Sequence, residues 1–408
     1  MQGSVLSGMR VVEVSAFVAA PLGGMTLAQL GAQVIRIDAP QGGLDYHRWP
    51  VTEAGVSLFW AGLNKGKQSV ALDVRQPAGQ EIAQALIAAP GDDGGMLLTN
   101  FPARGWLDYE TLRARRADLI QVVLMGDRHG GSAVDYTVNP AMGLPLLTGH
   151  DADQVVNHVL PAWDLIAGQM MASALLAAER HRHRQGAGQQ VRLALEDVAL
   201  AVMGHLGFIA EAQLGQRRER AGNNLYGAFG RDFHSCDGER VMVVALTGKQ
   251  WKALCAATGL GEACEQLAHA RGLDFRREGD RYRARDALAA LFEPWFASRR
   301  FADIRTQLQE HGVCWGRYQS VAQLVREDPA CSVANPLFDQ VSQPDIGTVL
   351  TPASPLMFSG CARPPAAAAP RLGQHTEQVL CDLLGLTAAE YGRLHQRGLV
   401  AHPQDAHP

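Results

Sequence analysis

The residue best placed to do chemistry is Asp164. It lies in the stretch "VVNHVLPAWDLIAGQMMASALLAAERHR", residues 155–182, and is the only acid in it before Glu179. A carboxylate among apolar residues costs free energy unless it has partners. Directly after Pro-Ala-Trp, at the expected start of a helix, it can serve as the N-cap, and the helix dipole would then keep it ionised. It can also serve as a nucleophile, since an ionised carboxylate needs no general base.

The familiar catalytic signatures are missing from the sequence. It has no GxGxxG in the first βα turn, no P-loop lysine motif and no GxSxG elbow. An ordinary dinucleotide, nucleoside triphosphate or serine hydrolase site is therefore not expected. The histidines of "ERHRHRQG", residues 179–186, belong to a basic run at an expected helix end, where cations suit the dipole. We predict neither a metal site nor a prosthetic group.

Strand and helix patterns alternate around the acid and must position it. Strands are predicted at 9–15, 33–40, 69–74, 95–100, 119–125 and 189–196, and helices at 24–32, 79–89, 109–116 and 164–183. We read "FVAAPLGG", residues 17–24, as a loop. Such alternation predicts an α/β fold with a Rossmann-like open parallel sheet, which binds ligands beyond the carboxyl ends of its strands. Small residues on the long helix would let another backbone approach, namely Ala167, Gly168, Ala172 and Ala174.

The composition changes after about residue 215, where a polar, Gly/Asn-rich stretch leads into a mixed segment. Amphipathic helices are predicted there at 249–260, 285–297 and 301–312. We expect a large domain whose first part is residues 1–215, a small α+β domain at 216–330, and a return to the large domain at 331–408. The Pro/Ala-rich segment 361–373 should be extended, and two helices should close the chain.

Charge and cysteine content limit the partners. The 408 residues carry a net charge of −4 with both signs interspersed, so no nucleic-acid or membrane surface is indicated. No stretch reaches the roughly 18 uninterrupted apolar residues of a membrane span. The seven cysteines include no CxxC pair, which favours a reduced cytoplasmic protein.

Five stretches in order along the chain resemble the landmarks of one family. They are "GMRVVEVSAFVAAPLGGMTLAQLGAQVIRIDAP", "FWAGLNKGKQSVALDV", "LLTNFPARGWLDYETLRARRADLI", "PAWDLIAGQMMASALLAAERHRHRQGAGQQV" and "APRLGQHTEQVLCDLLGL". Together they resemble the family III CoA-transferases. The resemblance implies an acyl-CoA thioester as substrate, with CoA as part of that substrate, and an interlocked homodimer. It also implies that Asp164 attacks the thioester.

The resemblance also implies CoA contacts where positions match. The first loop contributes backbone contacts from Ala16, Phe17, Val18 and Ala19. Lys67, Asn100 and Phe101 match further CoA-binding positions, and Arg36 and Arg104 are additional phosphate candidates because guanidinium suits phosphate.

Two departures from the family pattern narrow the reaction. Val134 stands where racemases of the family carry a histidine base, and valine cannot accept a proton, so racemisation is not expected. The glycine run that covers the aspartate in formyl-CoA-type transferases is reduced to Gly248, so a mobile lid is less evident.

Four further stretches, "AFVAAPLGGMTLAQLGA", "GGLDYHRWPVT", "DYTVNPAMGLPLLTG" and "GNNLYGAFGRDF", resemble one branch of this family. Enzymes of that branch act in the 3-hydroxypropionate carbon-fixation cycle, and the resemblance implies that CoA moves between the two carboxyl groups of one mesaconate. The candidates for binding the free acid are Arg48, Lys65, Tyr226 and Arg231. The first alternative is intermolecular transfer from an acyl-CoA such as succinyl-CoA to a dicarboxylate. Racemisation, against which Val134 argues, comes after it, and CoA binding without turnover is an alternative from a different class.

Overall fold

The protein is described by a computed structural model that covers residues 3–150 and 154–402. Within these ranges the backbone contacts form two compact units. The large unit comprises residues 3–142, 158–210 and 329–402, and the small unit comprises residues 143–150, 154–157 and 211–328. Each unit is described separately below.

The large unit is built on a six-stranded sheet. Its strands are β1 (Arg10–Val14), β2 (Gln33–Asp38), β3 (Gln68–Ala71), β4 (Met96–Thr99), β5 (Ile120–Met125) and β6 (Gln189–Ala194). They lie in the order β3-β2-β1-β4-β5-β6, and every neighbouring pair is parallel. The predicted open parallel sheet and its six strands are confirmed. The strand order reverses between β1 and β4, and such a switch point is where open α/β sheets bind ligands.

Helices connect these strands. They are α1 (Ala19–Gln29), α2 (Leu58–Leu63), α3 (Pro77–Ala88), α4 (Tyr109–Arg113), α5 (Asp135–Ala141), α6 (Ala162–Gln185), α7 (Leu195–His205) and α8 (Phe208–Gln213). A short 3₁₀ turn occurs at Gly105–Leu107 in the large unit, and another at Leu144–Leu146 belongs to the small unit. The loop predicted at residues 17–24 is wrong, because α1 already begins at Ala19. Pro21 falls in its first turn, where a missing N–H is tolerated.

Gly23 and Gly24 of α1 lie where neighbouring atoms leave little room for a Cβ atom. An ideal Cβ on Gly24 would lie 1.7 Å from Oε2 of Glu13, and one on Gly23 would lie 3.0 Å from the carbonyl oxygen of Gly168. The reverse contact is tighter, since a Cβ on Gly168 would lie 2.6 Å from the carbonyl oxygen of Ala19. The predicted close approach of a second backbone to the long helix is thus confirmed for Gly168, and that backbone is α1.

The small unit is an α+β unit with its own apolar core. Three antiparallel strands lie in the order β7-β8-β9, namely β7 (Phe229–His234), β8 (Arg240–Ala245) and β9 (Cys314–Arg317). The helices are α9 (Gly248–Thr258), α10 (Gly261–Arg271), α11 (Glu278–Arg283), α12 (Arg285–Ala297), α13 (Phe301–Glu310) and α14 (Val321–Glu327). Aromatic side chains dominate the core, including Phe229, Phe233, Phe292 and Phe296.

The chain then returns to the large unit. A 3₁₀ turn at Pro329–Cys331 precedes the antiparallel pair β10 (Phe338–Gln343) and β11 (Gly347–Pro352). Residues 361–373 form neither helix nor strand, as predicted, and α15 (Thr376–Leu384) and α16 (Ala388–Gln396) are the two expected closing helices. Over residues 3–150 and 154–402, none of the helices combines the length and the apolar character needed to cross a membrane.

Candidate active site

Asp164 is the third residue of α6, and its own side chain does not cap the helix. The cap comes from α5 instead. Oδ2 of Asp135 accepts the backbone N–H of Trp163 at 2.7 Å and that of Asp164 at 3.3 Å. The interpretation of Asp164 as the N-cap is therefore wrong. The N-cap residue is Pro161, and the carboxylate of Asp135 accepts the free N–H groups of the helix start.

Burial changes the ionisation of Asp164. Removal from water, followed by the nearby Asp135 charge, raises the pKa of the Asp164 carboxyl to about 6, although Arg48 opposes this rise. The helix start was predicted to stabilise the ionised form of Asp164. No N–H of the described residues donates to this carboxylate, so burial sets the direction of the pKa shift. At neutral pH the group is still mostly ionised, at roughly ten anions per neutral acid. It is thus an ionised carboxylate with weak stabilisation.

The loop between β1 and α1 has a fixed, unusual backbone. Phe17 adopts a φ of 67°, a left-handed conformation that costs free energy for a bulky residue. Asn100, directly after β4, holds the loop from one side: its Oδ1 accepts the N–H of Ala16 at 3.0 Å, and its Nδ2 donates to the Ala16 carbonyl at 2.7 Å. Asp45 holds it from the other side by accepting the N–H of Phe17 at 2.9 Å. Such fixed strain is typical of functional loops.

A cavity of about 640 Å³ lies at the switch point of the sheet and brings most of these residues together. That volume suits a small-molecule site. Among the residues that line it are Ala16, Phe17, Val18, Ala19, Arg48, Phe59, Asn100, Phe101, Val134, Asp135 and Asp164. The predicted loop positions, the residues after β4 and the predicted nucleophile therefore share one cavity.

A second cavity of about 820 Å³ adjoins the first, since Asn100, Met125, Gly126 and Ala133 line both. Arg104 and Arg192 also line it, and both residues are exposed. Two guanidinium groups beside one groove can bind phosphate groups in a bidentate way. Asp108 and Glu110 line the second cavity as well, so it carries both signs of charge, and the two arginines are its candidates for phosphate contacts.

Arg48 is the cation of the first cavity. Its guanidinium carbon lies 5.6 Å from the ring centre of Phe17 and 5.1 Å from that of Phe59, within cation–π range. These two ring contacts place a positive charge in the cavity, where a guanidinium group can bind an anion. Of the four residues predicted to bind the free acid, Arg48 is the one that lines the cavity of Asp164.

The structure argues against the predicted phosphate contacts of Arg36 and Lys67, because both side chains are buried in an internal ion network. Arg36 binds Asp38 at 2.8 Å and Asp45 at 2.9 Å, while Nζ of Lys67 lies 2.9 Å from Glu13. Their side chains are at most 1 % exposed. A phosphate group needs cations that it can reach. The network instead supports the sheet and, through Asp45, the loop at Phe17.

The other three anion candidates are not among the residues that line the cavity of Asp164. Nζ of Lys65 donates to the Gly62 carbonyl at 2.7 Å, burial lowers the pKa of this amine, and the residue is not among those lining the cavity of Asp164. Tyr226 and Arg231 belong to the small unit, where the Tyr226 hydroxyl donates to Glu211 at 2.9 Å.

Sequence reasoning missed Asp135, Phe59 and Arg192. Asp135 was visible only as part of "AVDYTVN", and no local signal indicates that it caps a helix 29 residues further on. Arg192 could have been found, because a lone arginine near the carboxyl end of a predicted parallel strand faces the ligand edge of such a sheet.

One group of side chains in the described residues could hold a metal ion. Ligand atoms of Asp93, Glu179 and His183 lie within 4.8 Å of one another. None of the three lines either cavity described above.

Comparison with known proteins gives a consistent result. The profile of CoA-transferase family III matches residues 6–376. A 2-methylfumaryl-CoA isomerase of Chloroflexus aurantiacus is 58 % identical over 405 residues, covering 98 % of this chain and 99 % of that protein. A succinate–glutarate CoA-transferase of Agrobacterium fabrum is 27 % identical, covering 93 % of this chain and 95 % of that protein.

The fold also matches a solved structure. The crystal structure of a CAIB/BAIF family protein from Brucella suis superposes with a TM-score of 0.76 at 25 % identity, covering 94 % of this chain and all of that one.

Proposed function

The chain belongs to CoA-transferase family III, and from this premise we propose that it transfers CoA between the two carboxyl groups of mesaconate, as a 2-methylfumaryl-CoA isomerase does. One observation carries the proposal from the side of chemistry. Asp164 presents a mostly ionised carboxylate, without hydrogen-bond donors among the described residues, to a cavity at the switch point of the sheet. The 58 % identity to an isomerase of that name supports the choice of substrate.

The proposed reaction uses Asp164 as a covalent carrier. Its carboxylate attacks the thioester carbon, which forms a mixed anhydride and releases the CoA thiolate. The thiolate attacks the aspartyl carbonyl, which frees mesaconate and leaves an aspartyl-CoA thioester. The other carboxylate of mesaconate then attacks that thioester, and the released thiolate attacks the new acyl carbonyl. This gives the isomeric thioester and restores Asp164, so atoms and charge balance over the cycle.

Each intermediate is prone to hydrolysis, so the cavity must exclude water. Phe17, Phe59 and Phe101 supply apolar walls around Asp164, which favours that role. We propose that the backbone of Ala16–Ala19 and the side chains of Asn100 and Phe101 line the path of the pantetheine arm. Arg104 and Arg192 would then meet the phosphate groups of CoA in the adjoining cavity.

Freed mesaconate carries two negative charges and must turn before the return step. We propose that Arg48 holds it by whichever carboxylate is not reacting. Its guanidinium, within cation–π range of Phe17 and Phe59, would stabilise the dianion beside Asp164. Lys65, Tyr226 and Arg231 remain weaker candidates for this role.

We also propose a homodimer, on the family resemblance. A reducing compartment such as the cytoplasm suits the seven cysteines, which are all free thiols.

Oxygen-18 transfer tests the nucleophile. In the proposed cycle one oxygen of the attacking carboxylate of mesaconate stays on Asp164, and the next turnover passes it on. Substrate labelled in its free carboxylate should therefore place oxygen-18 in the peptide that contains Asp164, as read by mass spectrometry. The same reaction in oxygen-18 water with unlabelled substrate should leave that peptide unlabelled. Isomerisation without any label on Asp164 would exclude this carboxylate as the carrier.

A further inference from the structure

A second carboxylate, that of Asp135, is built into the start of the helix that carries the proposed nucleophile. It is the first residue of α5 and only 1 % exposed. While Oδ2 faces the N–H groups of α6, Oδ1 lies 2.6 Å from Nε2 of His158. A carboxylate only accepts, so Nε2 carries the proton of this bond when Asp135 is ionised. Three polar groups thus fix the orientation of one buried acid.

The N–H groups of the first turn of α6 are all in use. Asp135 binds those of Trp163 and Asp164, the N–H of Ala162 donates to Leu160 at 2.8 Å, and that of Leu165 donates to Pro161 at 2.9 Å. An acid at the third helical position ordinarily gains from the N–H groups of the helix start. The donor that a capping box would give it, the N–H of the N-cap residue, does not exist here, because that residue is Pro161. At Asp164 that gain is absent, because the donors have other partners.

We infer that Asp135 is the positioning residue of Asp164: it removes the helix-start N–H groups from the nucleophile and places a second negative charge beside it. The inference rests on the proposed function, in which Asp164 attacks the thioester. A carboxylate that receives hydrogen bonds is a more stable and weaker nucleophile, whereas burial beside a like charge leaves it more basic. In agreement, the Asp135 charge is the second cause, after burial, of the raised pKa of Asp164.

The other charged groups around Asp164 can be named. Arg48 faces it from the loop before α2 and lowers the pKa of its carboxyl. His158, in the segment before α6, contacts Asp135 through Nε2 at 2.6 Å. Removal of the Asp135 charge should therefore lower the pKa of Asp164, while the cap should survive if an amide oxygen still accepts the two N–H groups.

Asp135→Asn is the test variant, since it keeps one acceptor oxygen and removes the charge. Carbon-13 NMR titration of the aspartate carboxyls, with the Asp164 signal assigned by its loss in Asp164→Asn, measures the pKa without any substrate. We expect it to fall by about half a unit or more in Asp135→Asn. The acid limb of kcat should move down with it, and kcat at about pH 8 should fall about threefold or more, with KM little changed.

Glu81→Gln is the matched control, because it removes one carboxylate from the same unit at a surface ion pair with Arg115. The pKa of Asp164 in Glu81→Gln should equal that in the unchanged protein. A folded Asp135→Asn with an unshifted Asp164 titration overturns the inference, even if the enzyme isomerises mesaconyl-CoA. A shifted titration in a protein without that activity supports the inference about Asp135 and contradicts only the proposed substrate.

If Asp135→Asn does not fold, His158→Ala carries the test. Loss of the imidazole donor leaves the Asp135 charge less shielded, so the pKa of Asp164 should rise. An unchanged or lowered pKa in His158→Ala would overturn the inference.

Discussion

The backbone N–H of Phe17 lies 2.9 Å from Oδ2 of Asp45, whose other oxygen binds a guanidinium nitrogen of Arg36 at 2.9 Å. One carboxylate therefore joins the strained loop of the cavity to a buried ion network. The loop could not keep a left-handed Phe17 without such support, because the conformation is unfavourable by itself. Arg36 and Lys67, the cations of this network, are buried, and neither is among the residues that line the cavity of Asp164.

Lys67→Met tests this structural role. The substitution leaves Glu13 without its 2.9 Å partner and removes the donor to the Pro21 carbonyl. Breaking a buried pair costs about 3 to 5 kcal/mol, so the urea midpoint should fall strongly. Lys249→Met, at an exposed lysine, should change it by less than about 0.5 kcal/mol. A stable Lys67→Met protein with only a raised KM for the CoA ester would favour the phosphate contact instead.

Asp164→Asn should make the protein more stable at neutral pH. The folded-state pKa of about 6 lies above the ordinary value of 3.8, so the favourable effect of the neutral acid is complete below about pH 4 and lost as pH rises through 6. An amide does not ionise. We expect a gain of about 1 to 3 kcal/mol near pH 7.5 and little change near pH 4. Thermal unfolding at the two pH values measures it, and equal effects at both would contradict the shift.

Arg48→Ala should impair the reaction and move its pH profile. Loss of the cation beside Asp164 should reduce kcat/KM about 100-fold and shift the acid limb upward from about pH 6, because Arg48 lowers that pKa. Arg48→Lys keeps the charge but loses the planar, bidentate guanidinium group beside Phe17 and Phe59, so an intermediate loss is expected. Arg113→Ala, at an exposed ion pair with Glu110, is the control and should leave the profile unchanged.

Gly168→Ala should separate α6 from α1. The new Cβ would lie 2.6 Å from the carbonyl oxygen of Ala19, a backbone atom that cannot turn away. We expect a loss of about 2 kcal/mol in urea unfolding, and reduced kcat because α6 also carries Asp164. Gly204→Ala in α7 meets only a side-chain atom at 3.8 Å and should be neutral or stabilising. Equal effects of the two substitutions would argue against the close packing.

The sequence was informative where local patterns decide structure. Six strands and the long helix follow from periodicity, and parallel strands bring the loop after β1, the residues after β4 and Asp164 to one edge. It was not informative where partners are distant. Whether Lys67 faces solvent or Glu13, 54 residues away, depends on tertiary packing, and so does the cap that Asp135 gives to α6. Arg48 was a weak candidate because only the fold places it beside Asp164.

In the proposed reaction one mesaconate stays in the cavity while CoA moves from one of its carboxyl groups to the other. The most direct measurement is chromatography of the two mesaconyl-CoA isomers after incubation of the purified protein with one isomer and carbon-13-labelled free mesaconate. If the acid stays bound, the two isomers should interconvert with no label entering either CoA ester. Label incorporation as fast as isomerisation would contradict retention of the acid and indicate an intermolecular transferase, and an absence of isomerisation would contradict the substrate itself.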